Sequence, residues 1–137
     1  MAHGIRVRAG IAEEMLRHAR QGPRMECCGL LAGSDGVITK SFPANNALAS
    51  PTAYEIAPQE LFQLIRRMRE EGLEHLGHYH SHPATENVPS PRDIEQAHYP
   101  HEAYFIISPL PGAPRPVRAF SIQDGRVEEL EIEILAQ

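Results

Sequence analysis

The stretch Gly77–Asp93, reading GHYHSHPATENVPSPRD, constrains the fold more than any other part of the chain. His78, His80 and His82 recur with period two, the spacing at which strand side chains share one face. Pro83 limits the extended run, because proline donates no ladder hydrogen bond. Ser90-Pro91 then marks a helix start: serine accepts from a free main-chain amide, and proline suits the first helical position. A strand, a short loop and a helix within so few residues let the first helical turn fold back against the strand. Six of the eight histidines lie between positions 75 and 101.

The elements around this segment follow from periodicity and punctuation. Arg6 to Ala9 is a weak first strand, and Ile11, Met15 and Ala19 recur at helical spacing until Gln21-Gly22-Pro23. Cys28 to Ala32 is a short apolar run, and Ser34-Asp35-Gly36 turns it into a second strand, Val37 to Phe42. Pro43 to Pro58 reads as loop. Pro58 to Glu71 is a helix with the stripe Leu61, Leu64, Ile65 and Met68, stopped by Gly72. Leu73 to His82 is the histidine-bearing strand, and Pro91 to about Tyr99 a third helix. Tyr104 to Ser108 is a buried strand; Val117–Ile122, Asp124-Gly125 and Arg126–Ile134 form a closing hairpin. There Leu130, Ile132 and Ile134 alternate with glutamates, so one face is wet. The sum is an α/β class: a mixed β-sheet flanked by about three helices, in one domain spanning 1–137.

Two chemistries are disfavoured by composition. A net charge of −5 lacks the basic face that nucleic acid requires. No apolar run approaches the roughly 18 residues of a membrane span, and the opening MAHGIRVRAG lacks a signal peptide's apolar core. The two cysteines are the neighbours Cys27 and Cys28, which form no disulfide framework. A cytoplasmic protein is expected.

Two imidazoles two apart on a strand can converge on one metal ion. Residues four apart lie roughly 13 Å from each other along a strand, so two of His78, His80 and His82 are plausible ligands, and parity does not say which. Asp93, on the helix's first turn, supplies a third. Two histidines and a carboxylate leave one position open for water, the pattern of catalytic zinc.

With these residues in view, the chain resembles the JAMM (MPN-plus) zinc metallopeptidases. That signature is an upstream glutamate, then His-x-His and, after ten residues, Asp, with serine three before it. Glu26 in MECCGLLAG, His80-Ser81-His82-Pro83, Ser90 and Asp93 match it without gaps. The resemblance implies a layered fold like that of cytidine deaminases, with Zn2+ on His80, His82 and Asp93 and His78 an ordinary strand residue. Glu26 would be general base and Ser90 an oxyanion donor. Compact relatives imply as substrate a ubiquitin-like sulfur-carrier protein, cleaved after its C-terminal Gly-Gly tail, which could add as a strand beside the zinc. The rival readings are a cysteine peptidase using Cys27 or Cys28 and a metal-free scaffold of the same fold.

Overall fold

The computed structural model describes residues 4–136. In chain order the elements are β1 (Gly4–Arg8), α1 (Ile11–Gln21), β2 (Cys28–Ser34), β3 (Val37–Ala44), α2 (Pro58–Glu70), β4 (Glu74–Ser81), α3 (Pro91–Glu95), β5 (Ala103–Ile107), β6 (Val117–Gln123) and β7 (Arg126–Leu135). Both expected hairpin turns are present. Asp35-Gly36 and Asp124-Gly125 all have positive φ, the two-residue geometry whose twist matches the flanking strands.

The mixed sheet and three helices are as expected, but the sheet closes into a ring in the order β1-β3-β2-β4-β5-β6-β7. Closure follows from the length of β7. Its first half, Arg126 to Leu130, pairs antiparallel with β6. Its second half pairs in parallel with β1, from Gly4↔Glu131 to Arg8↔Leu135.

The third helix is shorter than its sequence suggested, ending at Glu95 rather than near Tyr99. Pro100 disfavours helical backbone at Tyr99, and the Tyr99 amide donates to the Tyr104 hydroxyl at 3.0 Å instead of to a helical carbonyl.

Helices cover both faces of the sheet around β2. Ile11, Met15 and Ala19 of α1 pack with Leu31, Tyr79, Phe105 and Ile107 on one face. Leu64 and Met68 of α2 pack with Cys28, Leu30, Ala32 and Phe42 on the other. Each fully buried Ile or Met side chain stabilises by about 1.5–3 kcal/mol. Because β2 is covered on both sides, it reads as a continuous apolar run rather than an alternation.

β4 lies between β2 and β5, and its pairing decides which way the histidines face. Cys28↔His80 and Leu30↔His78 are opposed across the β2 ladder, and His80↔Ile106 and His78↔Tyr104 across the β5 ladder. Opposed residues share a face, so His78 and His80 stand on the side away from α1. Tyr79, opposite Gly29, points toward α1, where its hydroxyl meets His18 Nδ1 at 2.6 Å.

Gly29 is required by this packing. A Cβ there would overlap the Tyr79 ring and stand 2.7 Å from the Phe42 carbonyl oxygen. Gly29→Ala is expected to destabilise by about 1–3 kcal/mol through overpacking, read as a lowered denaturation midpoint. An unchanged midpoint would show that the Tyr79 ring has room to move.

Candidate metal centre

His80 and the sharply turned chain after it bring three ligand atoms together. His80 Nε2 and His82 Nε2 are 3.1 Å apart, and Asp93 Oδ2 lies 3.2 Å from the first and 3.0 Å from the second. Tetrahedral zinc with bonds of about 2.0–2.1 Å would hold its ligands about 3.3 Å apart. The three atoms thus already have nearly the separations that such an ion needs.

The donor chemistry fits as well. His82 Nδ1 is 3.0 Å from the Glu86 carbonyl, and a carbonyl only accepts, so that nitrogen carries the proton and donates. Nε2 is then the ring nitrogen turned toward Asp93. A main-chain carbonyl holding the outer ring nitrogen is the usual support of a metal-bound histidine. His80 is almost wholly buried, and burial lowers its pKa against the opposing pull of Asp93. Burial alone would raise Asp93, but its hydrogen bonds with His80 and His82 outweigh that and hold its carboxyl well below the ordinary range.

Asp93 is aimed by the start of α3. Its Oδ2 accepts from the Ser90 amide at 2.9 Å, while the Ser90 hydroxyl accepts from the Asp93 amide at 3.1 Å. This reciprocal capping box uses a lone pair of the Ser90 oxygen. A hydroxyl carries one proton and two lone pairs, so capping does not engage the Ser90 proton.

Glu26 enters from the turn before β2 and is 5% exposed. Its Oε1 is buried with no hydrogen-bond partner among the described residues. Burial, then the charge of Asp93, push its pKa up to about 7 against the opposing effects of His82 and Arg92. Its main chain is fixed at both ends: the amide donates to the Ser50 carbonyl at 2.9 Å, and the carbonyl accepts from Asn46 Nδ2 at 3.0 Å.

Asn46 is the residue that the sequence did not reveal. Its Nδ2 also donates to the Ala53 carbonyl at 2.9 Å, and its Oδ1 accepts the amides of Leu48 and Glu55 at 3.0 and 3.2 Å. One side chain thereby shapes the segment from 46 to 55, which carries Tyr54. The Tyr54 ring stacks on His80 with centroids 4.6 Å apart. The signal was an Asn-Asn pair in a loop, which turns use far more often than sites do.

A cavity of ≈ 210 Å³ opens beside the cluster, walled by Tyr54, Ile56, His78, Arg92, Tyr99 and Tyr104. His78 lies outside the triad on β4, where it is 7% exposed and faces Glu102. The cysteines do not serve as nucleophiles. Burial raises Cys27 to about 11 and Cys28 to about 12, the opposite of the shift that makes a thiol reactive.

Three comparisons bear on this geometry. A family model described as prokaryotic homologs of the JAB domain matches residues 8–123, a span that includes Glu26, His80, His82, Ser90 and Asp93. A desampylase of Haloferax volcanii is 38% identical over 108 residues, covering 74% of this chain and 78% of that one. A CysO-cysteine peptidase of Mycobacterium tuberculosis is 33% identical over 133 residues, covering 96% and 91%. The solution structure of a protein from Desulfitobacterium hafniense superposes with a TM-score of 0.85 at 37% identity, over 97% of this chain and 94% of that chain.

The raised thiols carry a direct test. Native protein at neutral pH is expected to resist iodoacetamide, and urea-unfolded protein to take up two labels by mass. Rapid labelling of the native chain would contradict the raised thiols of Cys27 and Cys28.

Proposed function

The chain belongs to the family of prokaryotic homologues of the JAB domain, and on that premise we propose that it is a zinc peptidase. Its reaction is hydrolysis of the amide bond after the C-terminal Gly-Gly tail of a ubiquitin-like, sulfur-carrier type of protein. The observation that carries this reading is the set of three ligand atoms 3.0–3.2 Å apart beside a buried carboxylate with an unpartnered oxygen. A scaffold has no use for such a carboxylate, which costs stability to bury. The names of relatives that act on small protein conjugates support the substrate class.

In this mechanism His80, His82 and Asp93 would hold the metal, with His82 oriented by the Glu86 carbonyl and Asp93 by the Ser90 amide. A zinc ion held there would supply a water of pKa near 7 and a Lewis acid for a carbonyl oxygen. Glu26, with its pKa near 7, is matched to take a proton from the attacking water and return it to the leaving amine. Ser90 keeps its hydroxyl proton for the oxyanion that develops on the scissile carbonyl. Tyr54 packs one face of His80 and shields it from bulk water.

The closed sheet changes how the substrate tail can approach. Both edges of β4 are occupied, by β2 and by β5, so the tail does not add as a strand to the element that carries the histidines. It lies instead in the cavity walled by Tyr54, Tyr99 and Tyr104. Glycine suits that approach because it brings no side chain past three aromatic rings.

Carrier proteins with C-terminal extensions, incubated with the enzyme and weighed by mass spectrometry, are expected to be cut after Gly-Gly. A chelator should stop the reaction and added zinc restore it. Glu26→Gln is expected to lower the rate by about 10²–10⁴-fold with metal content retained; undiminished cleavage would remove Glu26 from the mechanism. Glu26 accepts a proton only as carboxylate, so kcat/KM should rise with pH through about 7. Ser90→Ala should lower kcat by about 10²–10³-fold and, through the lost cap, stability by about 1 kcal/mol. Kinetics and thermal melts separate the two effects.

A further inference from the structure

A second group of potential ligands joins His75 and His78 of the same strand with Glu102. His75 and His78 are three apart and would point to opposite faces of a regular strand. The β2–β4 register shifts between Leu31↔Gly77 and Ala32↔His75, leaving Leu76 without a partner. That extra residue reverses the parity and turns His75 to the side of His78. Glu102 immediately precedes β5, whose first residue Ala103 pairs with Gly77, so its carboxylate arrives beside both rings.

The contacts within this group are not hydrogen bonds of the ordinary kind. His75 Nδ1 lies 3.1 Å from Glu102 Oε2, and His78 Nε2 lies 3.0 Å from Glu102 Oε1. Yet His78 Nε2 and Glu102 Oε1 are both buried and unpartnered by hydrogen-bond geometry. His75 Nε2 is 3.1 Å from the Gly77 carbonyl, which only accepts, so Nε2 is the protonated nitrogen. Nδ1 then directs a lone pair at a carboxylate oxygen. Burial, then the neighbouring His78, lower the pKa of His75 against the pull of Glu102, which keeps the ring neutral. Two electron-rich atoms at such a distance repel unless a cation lies between them. The same arrangement of carbonyl, histidine and carboxylate occurs at His82 and Asp93.

We propose that His75, His78 and Glu102 form a second divalent metal site, separate from the one on His80, His82 and Asp93. All three ligand atoms lie within 4.8 Å of one another, and the side chains are mostly buried, at 13%, 9% and 12% exposed. Two imidazoles and one carboxylate select zinc or a similar borderline ion over calcium or magnesium, which prefer oxygen ligands. The ion's role is to tie β4 to the entry of β5. It thereby anchors the cavity wall, because Tyr99 and Tyr104 pack on the His78 ring with centroids 4.7 and 5.3 Å away.

The test is metal stoichiometry, which does not depend on turnover. Untagged protein is stripped with a chelator, titrated with zinc by calorimetry, and analysed for bound metal after dialysis. Two equivalents per chain are expected for the wild type, and one each for His75→Ala, Glu102→Ala and Asp93→Ala. Cobalt(II) substituted into Asp93→Ala should still give a visible d–d spectrum, lost on adding Glu102→Ala. One equivalent in the wild type, or two retained in both His75→Ala and Glu102→Ala, would overturn the proposal. Circular dichroism identifies a variant that fails to fold, and His75, the most exposed of the three, then decides. Two equivalents retained in Asp93→Ala alone would count against the first centre and leave this one standing.

Discussion

Pairing of β4 along both of its edges is the constraint from which the rest of the site follows. A strand held by β2 on one side and β5 on the other cannot rotate about its axis, so alternate side chains are committed to opposite faces. Tyr79 is locked toward α1 by Gly29 and His18. His78 and His80 are thereby committed to the other face, where α3, the 46–55 segment and the start of β5 close over them. The chemistry of this molecule is thus positioned by packing on the face where no chemistry occurs.

The two carboxylates near the triad show how environment divides their roles. Asp93 is buried, but the histidines that hydrogen-bond to it keep it ionised across any physiological pH. Glu26 is buried without such partners, and its proton affinity rises to the neutral range. Groups pushed apart in this way are suited to different tasks, one as a fixed anion and the other as a proton carrier. The difference originates in backbone. Asp93 sits on a capped helical turn that aims it at the histidines, whereas Glu26 hangs from a turn held by Asn46 and Ser50.

Much of this was legible in the sequence because it is local. The period-two histidines, the Ser90-Pro91 helix start, the Asp-Gly turns and the stripe of α2 each lie within one element, and each lies within a residue or two of its expected place. The unread features are those in which distant segments compete. The third helix stops early because the Tyr99 amide is taken by Tyr104. The sheet closes because the second half of β7 meets β1, a pairing between elements far apart in the chain. The extra residue at Leu76 left no mark, since leucine fits a regular strand as well as a bulge. Without that bulge, His75 falls on the wrong face, and the cluster with Glu102 is invisible to any parity count. Asn46 escaped because its work is to join its own 46–55 segment to the main chain of Glu26, which only the fold assembles.

The ring closure also makes the two ends of the chain mechanically interdependent. β1 and the second half of β7 form a single parallel seam of five residue pairs, so neither terminal strand is a dispensable trimming. Loss of β1 strips a partner from both β3 and β7, and loss of β7 strips one from both β1 and β6. Either truncation exposes two rows of unpaired amides and carbonyls, the feature that invites one molecule to stick to the next. Because the seam is parallel, the start of β1 and the end of β7 lie at opposite ends of it.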